Sequence, residues 1–318
     1  MTADGRGAGY RAGHVLAVDF GGTKVALATA DGDGRVLDQL RLETRALEGA
    51  REVVRRALAA GRDLSDRTAA STGGKLTAVG VATFGVTLAD RVLLAPNVPG
   101  WQELALPALL REGLADPAGM DESAVRVAND VKAATVAELR WGELAGVRNG
   151  VYVNLGTGLA CGLVVGGRVL EGAHGTAGEI GYNVRSFGEP AFAAGHAPLE
   201  EHVSGRALAD RGETLLGRPV TAAELFAGRD DERVRSLVRD ALEQLAVHVT
   251  NLAIALDPER IVVGGGLMHS AEVILPVLRA QLADAAPFAV DLRPSRFSHD
   301  AALRGAIALA LDDEPSDG

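Results

Sequence analysis

One pattern occurs twice in the chain, and that repetition constrains the fold more than any other feature. VLAVDFGGTKVALATADGDGRVL (Val15 to Leu37) and VYVNLGTGLACGLVVGGRVL (Val151 to Leu170) share one layout. Each runs from a β-rich segment through a polar residue and a Gly/Thr turn into a second β-rich segment, a glycine turn and the triplet Arg-Val-Leu. Asp19 stands two residues before Gly21, and Asn154 two residues before Gly156. Both stretches read as β-hairpins whose turns carry function. Two unrelated hairpins can converge on such a layout, but the matching Gly/Thr turns favour duplication.

Strands and helices alternate after each hairpin. In the first half, a helix is expected near Glu48 to Ala60, a strand at LTAVGVATFG, a helical region from Leu104 to Leu114 and a strand at AVRVAND, which leads directly into the helix VKAATVAELRWGEL. In the second half, one helix is expected from Leu199 to about Leu216 and another from Arg233 to Leu256. The latter has Leu237, Leu242, Leu245, Val249, Leu252 and Leu256 at helical spacing. The buried strand ERIVVGGGL follows, and a last helix begins near Ala301. This order implies an α/β architecture of two similar lobes with a cleft between them. The lobes are expected over 14–122 plus 300–313 and over 123–299, with a flexible lead-in at 1–13 and a solvated acidic tail at 314–318.

Composition narrows the partners. The net charge of −10 comes without a basic cluster, which argues against nucleic acid. No run approaches 18 apolar residues and the N-terminus lacks a secretory apolar segment, so a cytoplasmic protein without a membrane anchor is expected. One cysteine, Cys161, excludes an internal disulfide and any multi-cysteine zinc site.

The glycine turns and one Asn-Asp pair carry the chemistry. In DFGGTK, two glycines after Asp19 let backbone N–H groups approach a phosphate, although a tight hairpin with a solvated Asp is the plain alternative. LGTG (Leu155 to Gly158) repeats the device, and Gly264 to Gly266 supply a third close approach after an apolar strand. Three such turns suit a nucleotide, but neither a dinucleotide fingerprint nor a Walker loop is present. VAND ends a strand with Asn129 and Asp130 just before a helix. That placement fits a helix N-cap, and equally a pair in which Asn129 binds a ligand hydroxyl and Asp130 accepts its proton. In AGEIGYN, two glycines flank Glu179 as in a loop that brings backbone and carboxylate close to a ligand.

DFGGTK, APNVPGW, VAND, NLGTGLACGLVVGGRVLEGAHGTAGEIG, LEEHVSG and DPERIVVGGGL, in this order from about Val15 to Leu311, resemble the ROK family of bacterial sugar kinases and sugar-responsive repressors. The resemblance implies a duplicated actin/hexokinase-like (ribonuclease H-like) two-lobed fold with ATP and sugar in the interlobe cleft. It implies that Asp130 is the general base for a sugar 6-hydroxyl attacking the γ-phosphate of ATP. Gly85, Asn97, Asn129, Glu179 and Glu200 would lie at the sugar, with a first-turn helix acid as the alternative role for Glu200. Asp19, Gly21, Gly22, Thr23 and Lys24 would form the first phosphate motif, with Asp19 reaching Mg²⁺ through water. Gly156, Thr157 and Gly158 would form the second, and Gly264, Gly265 and Gly266 would lie near the adenosine. A homodimer is what the family suggests.

The chain departs from the family at its zinc site. Tyr182 stands where the family has a histidine, and Ala191, Ala193 and Pro198 stand where it has cysteines. His174, His196 and His202 fit no common zinc spacing, so structural zinc is expected to be absent, and Cys161 is read as a small packed side chain. The family's histidine also contacts the sugar, so Tyr182 points to an altered substrate. Glu179 and Glu200 would also suit an amino group. Glucose and kanosamine are therefore the leading sugars, kanosamine tying the chain to antibiotic biosynthesis, and N-acetylmannosamine is a further candidate. A sugar-sensing regulator is the rival class. Such family members carry a DNA-binding domain before the first hairpin, and none is expected here because the hairpin begins at Val15.

Overall fold

The computed structural model describes residues 13–88, 91–95, 98–228 and 230–312, apart from the side chain of Glu122. The expected lead-in and acidic tail lie outside these residues, except for Gly13. Gly13 already belongs to the first strand, where it pairs with Lys75.

In the first unit, β1 (Gly13–Phe20), β2 (Lys24–Ala30), β3 (Val36–Glu43), β4 (Lys75–Thr83) and β5 (Val125–Asn129) form one sheet in the order β3-β2-β1-β4-β5. β2 runs antiparallel to β1 and β3, whereas β1, β4 and β5 are parallel neighbours. β1 and the second half of β4 are near-continuous apolar runs, as befits strands covered on both faces. Edge strand β3 alternates half-buried and exposed residues. Helix α1 (Ala50–Thr72) covers the sheet through Val53, Val54, Ala57, Gly61, Leu64 and Thr68, at the spacing of one helical face. It runs twelve residues past the expected end at Ala60, because Gly61 interrupts the apolar pattern only to let Leu16 come close.

Helix α2 (Asp130–Trp141) follows β5 without a connecting loop. The second unit repeats the first. β6 (Gly150–Leu155), β7 (Leu159–Val165), β8 (Arg168–Val169), β9 (Arg260–Gly264) and β10 (Asp291–Pro294) are ordered β8-β7-β6-β9-β10 with the same pattern of directions. Helices α3 (Gly205–Leu216), α4 (Glu232–Leu256) and α5 (Ala271–Ala285) enclose its core with Val151, Val153, Ile261 and Val263. The helix expected over Leu199–Leu216 is broken at Ser204, whose Oγ accepts from the Ala207 N–H (3.2 Å) and caps α3 anew. The last helix, α6 (Ala301–Ala310), packs on the first unit.

Contacts divide the chain into 1–133 with 302–318 and 134–301. The expected boundary after residue 122 would give β5 to the second unit, but its pairing with β4 keeps it in the first. α6 is held by backbone approach. A Cβ on Gly80 would lie 1.8 Å from the Ala306 carbonyl oxygen, and one on Gly305 would lie 1.9 Å from that of Ala133. Gly80→Ala should therefore destabilise the chain by more than about 2 kcal/mol in urea unfolding, and an unchanged midpoint would show that α6 does not seat there.

Candidate active site

Register places the first group of candidate residues. Phe20, Thr83 and Asn129 pair in one row, so the turn at Gly21, the bend at Phe84–Gly85 and the start of α2 all emerge at the carboxyl edge of β1, β4 and β5. Open α/β sheets bind ligands at this edge. Gly22, Thr23 and Lys24 are exposed, while the turn is closed beneath them by the Gly21 N–H donating to the Lys24 carbonyl (2.9 Å). Thr44 braces it by donating its hydroxyl to the Gly21 carbonyl (2.6 Å). Gly85 adopts φ +88° against the Leu93 carbonyl, behind which Phe84 and Phe20 pack on the buried Trp101. Asn97 lies outside the described residues.

Asn129 and Asp130 divide the two readings of VAND. Asn129 is buried, and its Oδ1 accepts from the Lys132 N–H (2.7 Å), so it caps α2. Asp130 is the first residue of α2, where its Oδ1 accepts from the Val131 N–H (2.9 Å). Burial pushes the Asp130 carboxyl up to about 6, against these backbone bonds. Asp19 is pushed up to about 7, first by burial and then by the charge of Asp130, with Arg41 opposing. Two half-buried, poorly solvated carboxyls thus repel one another at one end of one sheet.

The second unit brings together most of the remaining candidates. Its central strand β6 pairs Asn154 with Gly264 of β9, which sets the Gly156–Gly158 turn beside Gly264–Gly266. The Gly156 carbonyl accepts from the Gly205 N–H (2.8 Å) and the Thr157 carbonyl from Arg206 (3.3 Å), tying the turn to the start of α3. Glu200 accepts the Leu159 N–H at Oε2 (2.8 Å), a role beyond that of a first-turn acid. Gly158 and Gly181 leave it room, since a Cβ on either would press on its side chain. Glu179 begins the short turn to Tyr182, which is held to β7 by the Cys161 N–H donating to the Gly178 carbonyl (2.7 Å). Gly178 has φ +92°, and a Cβ there would meet the Cys161 carbonyl oxygen at 1.9 Å. Cys161 is buried, and its thiol is pushed up to about 12 by burial and by Glu179. The Tyr182 phenol is raised by burial, then by Glu179 and Glu200, so these three residues share one electrostatic neighbourhood.

The surroundings of Tyr182 do not fit a zinc ion. Its ring packs edge-on against Phe192 (5.4 Å, 83°), between Ala191 and Ala193, which offer no ligand. His196 faces Glu201 and His202 faces Asp240. No three His, Cys, Asp or Glu side chains among the described residues are grouped to hold a metal.

A cavity of about 110 Å³ adjoins the third glycine turn within the second unit, lined by Gly264, Gly265, Met268, His269, Ser295 and Phe297 among others. His269 packs on His299 at 5.0 Å. Beyond the glycines, no sequence pattern points to this lining. Ser295 and Phe297 follow a four-residue strand, too short for a periodic signal.

The sequence profile of the ROK family matches residues 15–313. The chain belongs to the ROK family. It is 32% identical over 299 residues to the N-acetylmannosamine kinase of Shigella boydii serotype 18, covering 93% of this chain and 97% of that protein. Among solved structures it is similar to the ROK hexokinase from Thermus thermophilus, with 31% identity, TM-score 0.77 and coverage of 93% and 97%. It is also similar to a Streptomyces griseus ROK glucokinase in complex with glucose and AMPPNP, with 26% identity, TM-score 0.74 and coverage of 93% and 99%. The duplicated α/β fold is thus the actin/hexokinase-like fold of this family. None of the described helices is long and apolar enough to cross a membrane.

The raised Asp19 carboxyl has a consequence for stability. Its folded value of about 7 exceeds the ordinary 3.8, so folding takes up a proton between those pH values and loses stability as pH rises through that window. Asp19→Asn should therefore raise the melting temperature at pH 8, by up to a few kcal/mol of stability, with the gain fading as pH falls towards 4. A gain that grows on acidification would contradict this placement of Asp19.

Proposed function

We propose that the chain is an ATP-dependent sugar kinase that transfers the γ-phosphoryl group to the 6-hydroxyl of a hexose or aminohexose. The observation that carries this reading is Asp130 at the first position of α2, a half-buried carboxyl with its pKa pushed up to about 6 by lost solvation. Such a group is more basic than an exposed aspartate yet mostly ionised at neutral pH, as a general base should be. Its Oδ2 or Oδ1 would take the hydroxyl proton as the sugar oxygen attacks phosphorus, and the leaving ADP would carry away the negative charge.

The placement of the described residues supports the other roles. The exposed turn Gly22–Lys24 and the turn Gly156–Gly158 offer backbone N–H groups to phosphates, and Lys24 adds a positive charge. The cavity beside Gly264–Gly266 would take the adenosine. Glu179, Glu200 and Tyr182 would hold sugar hydroxyls or an amino group, together with Asn129, Gly85 and Asn97. The repelling pair Asp19 and Asp130 suits a divalent cation, and Mg²⁺, which needs only one or two carboxylates beside phosphates and waters, would be held at Asp19 through water. Bound there, it would neutralise charge on the transferred group.

The names of similar proteins support the sugar class and widen the choice within it: an N-acetylmannosamine kinase, a hexokinase and a glucokinase. Tyr182 and the paired carboxylates keep kanosamine beside glucose as leading substrates. A cytoplasmic homodimer acting on small molecules alone completes the proposal.

The test is ADP release with glucose, kanosamine, glucosamine, N-acetylmannosamine, mannose and fructose, with the phosphorylated position read by NMR. One sugar should give a 6-phosphate, and kcat/KM should fall as pH drops below about 6. Asp130→Asn should lower kcat by roughly 10²–10⁴-fold with sugar affinity little changed. Absence of sugar-dependent turnover across the panel would refute the kinase reading, and full activity of the variant would refute the base.

A further inference from the structure

The proposed chemistry leaves one fully buried carboxylate unused. Glu138, in α2, has no exposed surface. Its Oε1 accepts from the Ser295 hydroxyl (2.6 Å), the Arg296 N–H (3.0 Å) and, at longer range, the Phe297 N–H (3.4 Å). Its Oε2 accepts from the Glu143 N–H (2.6 Å). Gly142 makes this possible, since a Cβ there would lie 2.1 Å from Oε2. Two donors thus converge on one oxygen, with the Phe297 N–H shared between it and the Ser295 hydroxyl oxygen (3.1 Å), and Ser295 and Phe297 are walls of the cavity beside Gly264 and Gly265.

Burying a carboxylate costs several kcal/mol, which only well-formed charge-assisted bonds offset. A backbone ladder already holds the start of this segment, through the Ser295 N–H donating to the Val263 carbonyl (2.8 Å). Glu138 therefore does more than attach the segment after β10. It fixes the path of residues 295–297 at the point where the ladder ends. A wall fixed in advance lowers the ordering cost of binding.

We infer that Glu138 is a positioning residue for the nucleotide, holding the Ser295–Phe297 wall of the cavity in its binding geometry. The inference rests on the nucleotide role proposed for this cavity. Its test is read on ADP affinity, so it is decided separately from sugar turnover. The full chain, Glu138→Ala, Glu138→Gln and Ser295→Ala are compared by calorimetry with ADP and by amide hydrogen exchange. Glutamine keeps one acceptor oxygen, and offering it to the segment turns its amide hydrogens onto the Glu143 N–H.

Glu138→Ala should weaken ADP binding about tenfold, the value of one strong charge-assisted bond. Glu138→Gln and Ser295→Ala should weaken it at least threefold. The Arg296 and Phe297 amides should exchange faster in both Glu138 variants, with affinity for the accepted sugar unchanged within twofold. Should Glu138→Ala fail to fold, the other two variants decide. ADP affinity within threefold of the parent in every folded variant overturns the inference, as does an equal loss of ADP and sugar affinity. A parent chain that binds no ADP overturns it together with the nucleotide reading. A parent that binds ADP but phosphorylates no sugar removes the kinase reading alone, and the variant affinities still decide the role of Glu138.

Discussion

Parallel pairing of β1 with β4, and of β6 with β9, is the constraint on which the rest of the structure depends. Each hairpin strand is antiparallel to its partner on one side and parallel to a later strand on the other. The hairpin turn therefore emerges at the same edge as the carboxyl ends of the parallel strands. In the first unit, that register gathers Asp19, the Gly21–Lys24 turn and Asp130, which are more than 100 residues apart in the chain. In the second, it sets the Gly156–Gly158 turn beside Gly264–Gly266. Slipping either pairing by one residue would turn Asp19 or Asn154 to the opposite face.

The same gathering creates an electrostatic cost. Asp19 and Asp130 lose solvation and face each other, and Arg41 opposes this only at Asp19. Folding tolerates the cost because the surrounding sheet is over-determined by apolar packing from Leu16, Val18, Val79 and Val81. Functional sites are where such strain is commonly kept. Glu138 shows the opposite solution, a buried carboxylate whose oxygens are met by N–H and O–H donors.

The duplication was legible because each half repeats the same short residues in the same places, and turns are specified locally. Helix α4 was legible for a related reason: its apolar spacing is regular, and the observed Glu232–Leu256 lies within one residue of the expected start. Helix α5 went unread, since Pro276 sits inside it, and Ser270 at its start makes no side-chain cap bond. Strands β3 and β10 went unread because one alternates on an edge and the other has four residues. In the site, glycine turns and the Asn-Asp pair are local signals, whereas Arg41, Thr44, Glu138, Ser295 and Phe297 matter only through tertiary contact. The lobe boundary was misplaced for the same reason: only the pairing of Val125–Asn129 with β4 reveals which sheet owns that strand.

This fold holds two carboxyls against their preference to ionise, and the proposed base is one of them. Direct titration of the aspartate carboxyl carbons by NMR, with Asp19→Asn and Asp130→Asn used for assignment, tests it most closely. Two resonances are expected with midpoints near 7 and 6, the upper one shifting downward in Asp130→Asn and the lower one staying near 6 in Asp19→Asn. Midpoints at or below about 4 for both groups would contradict it.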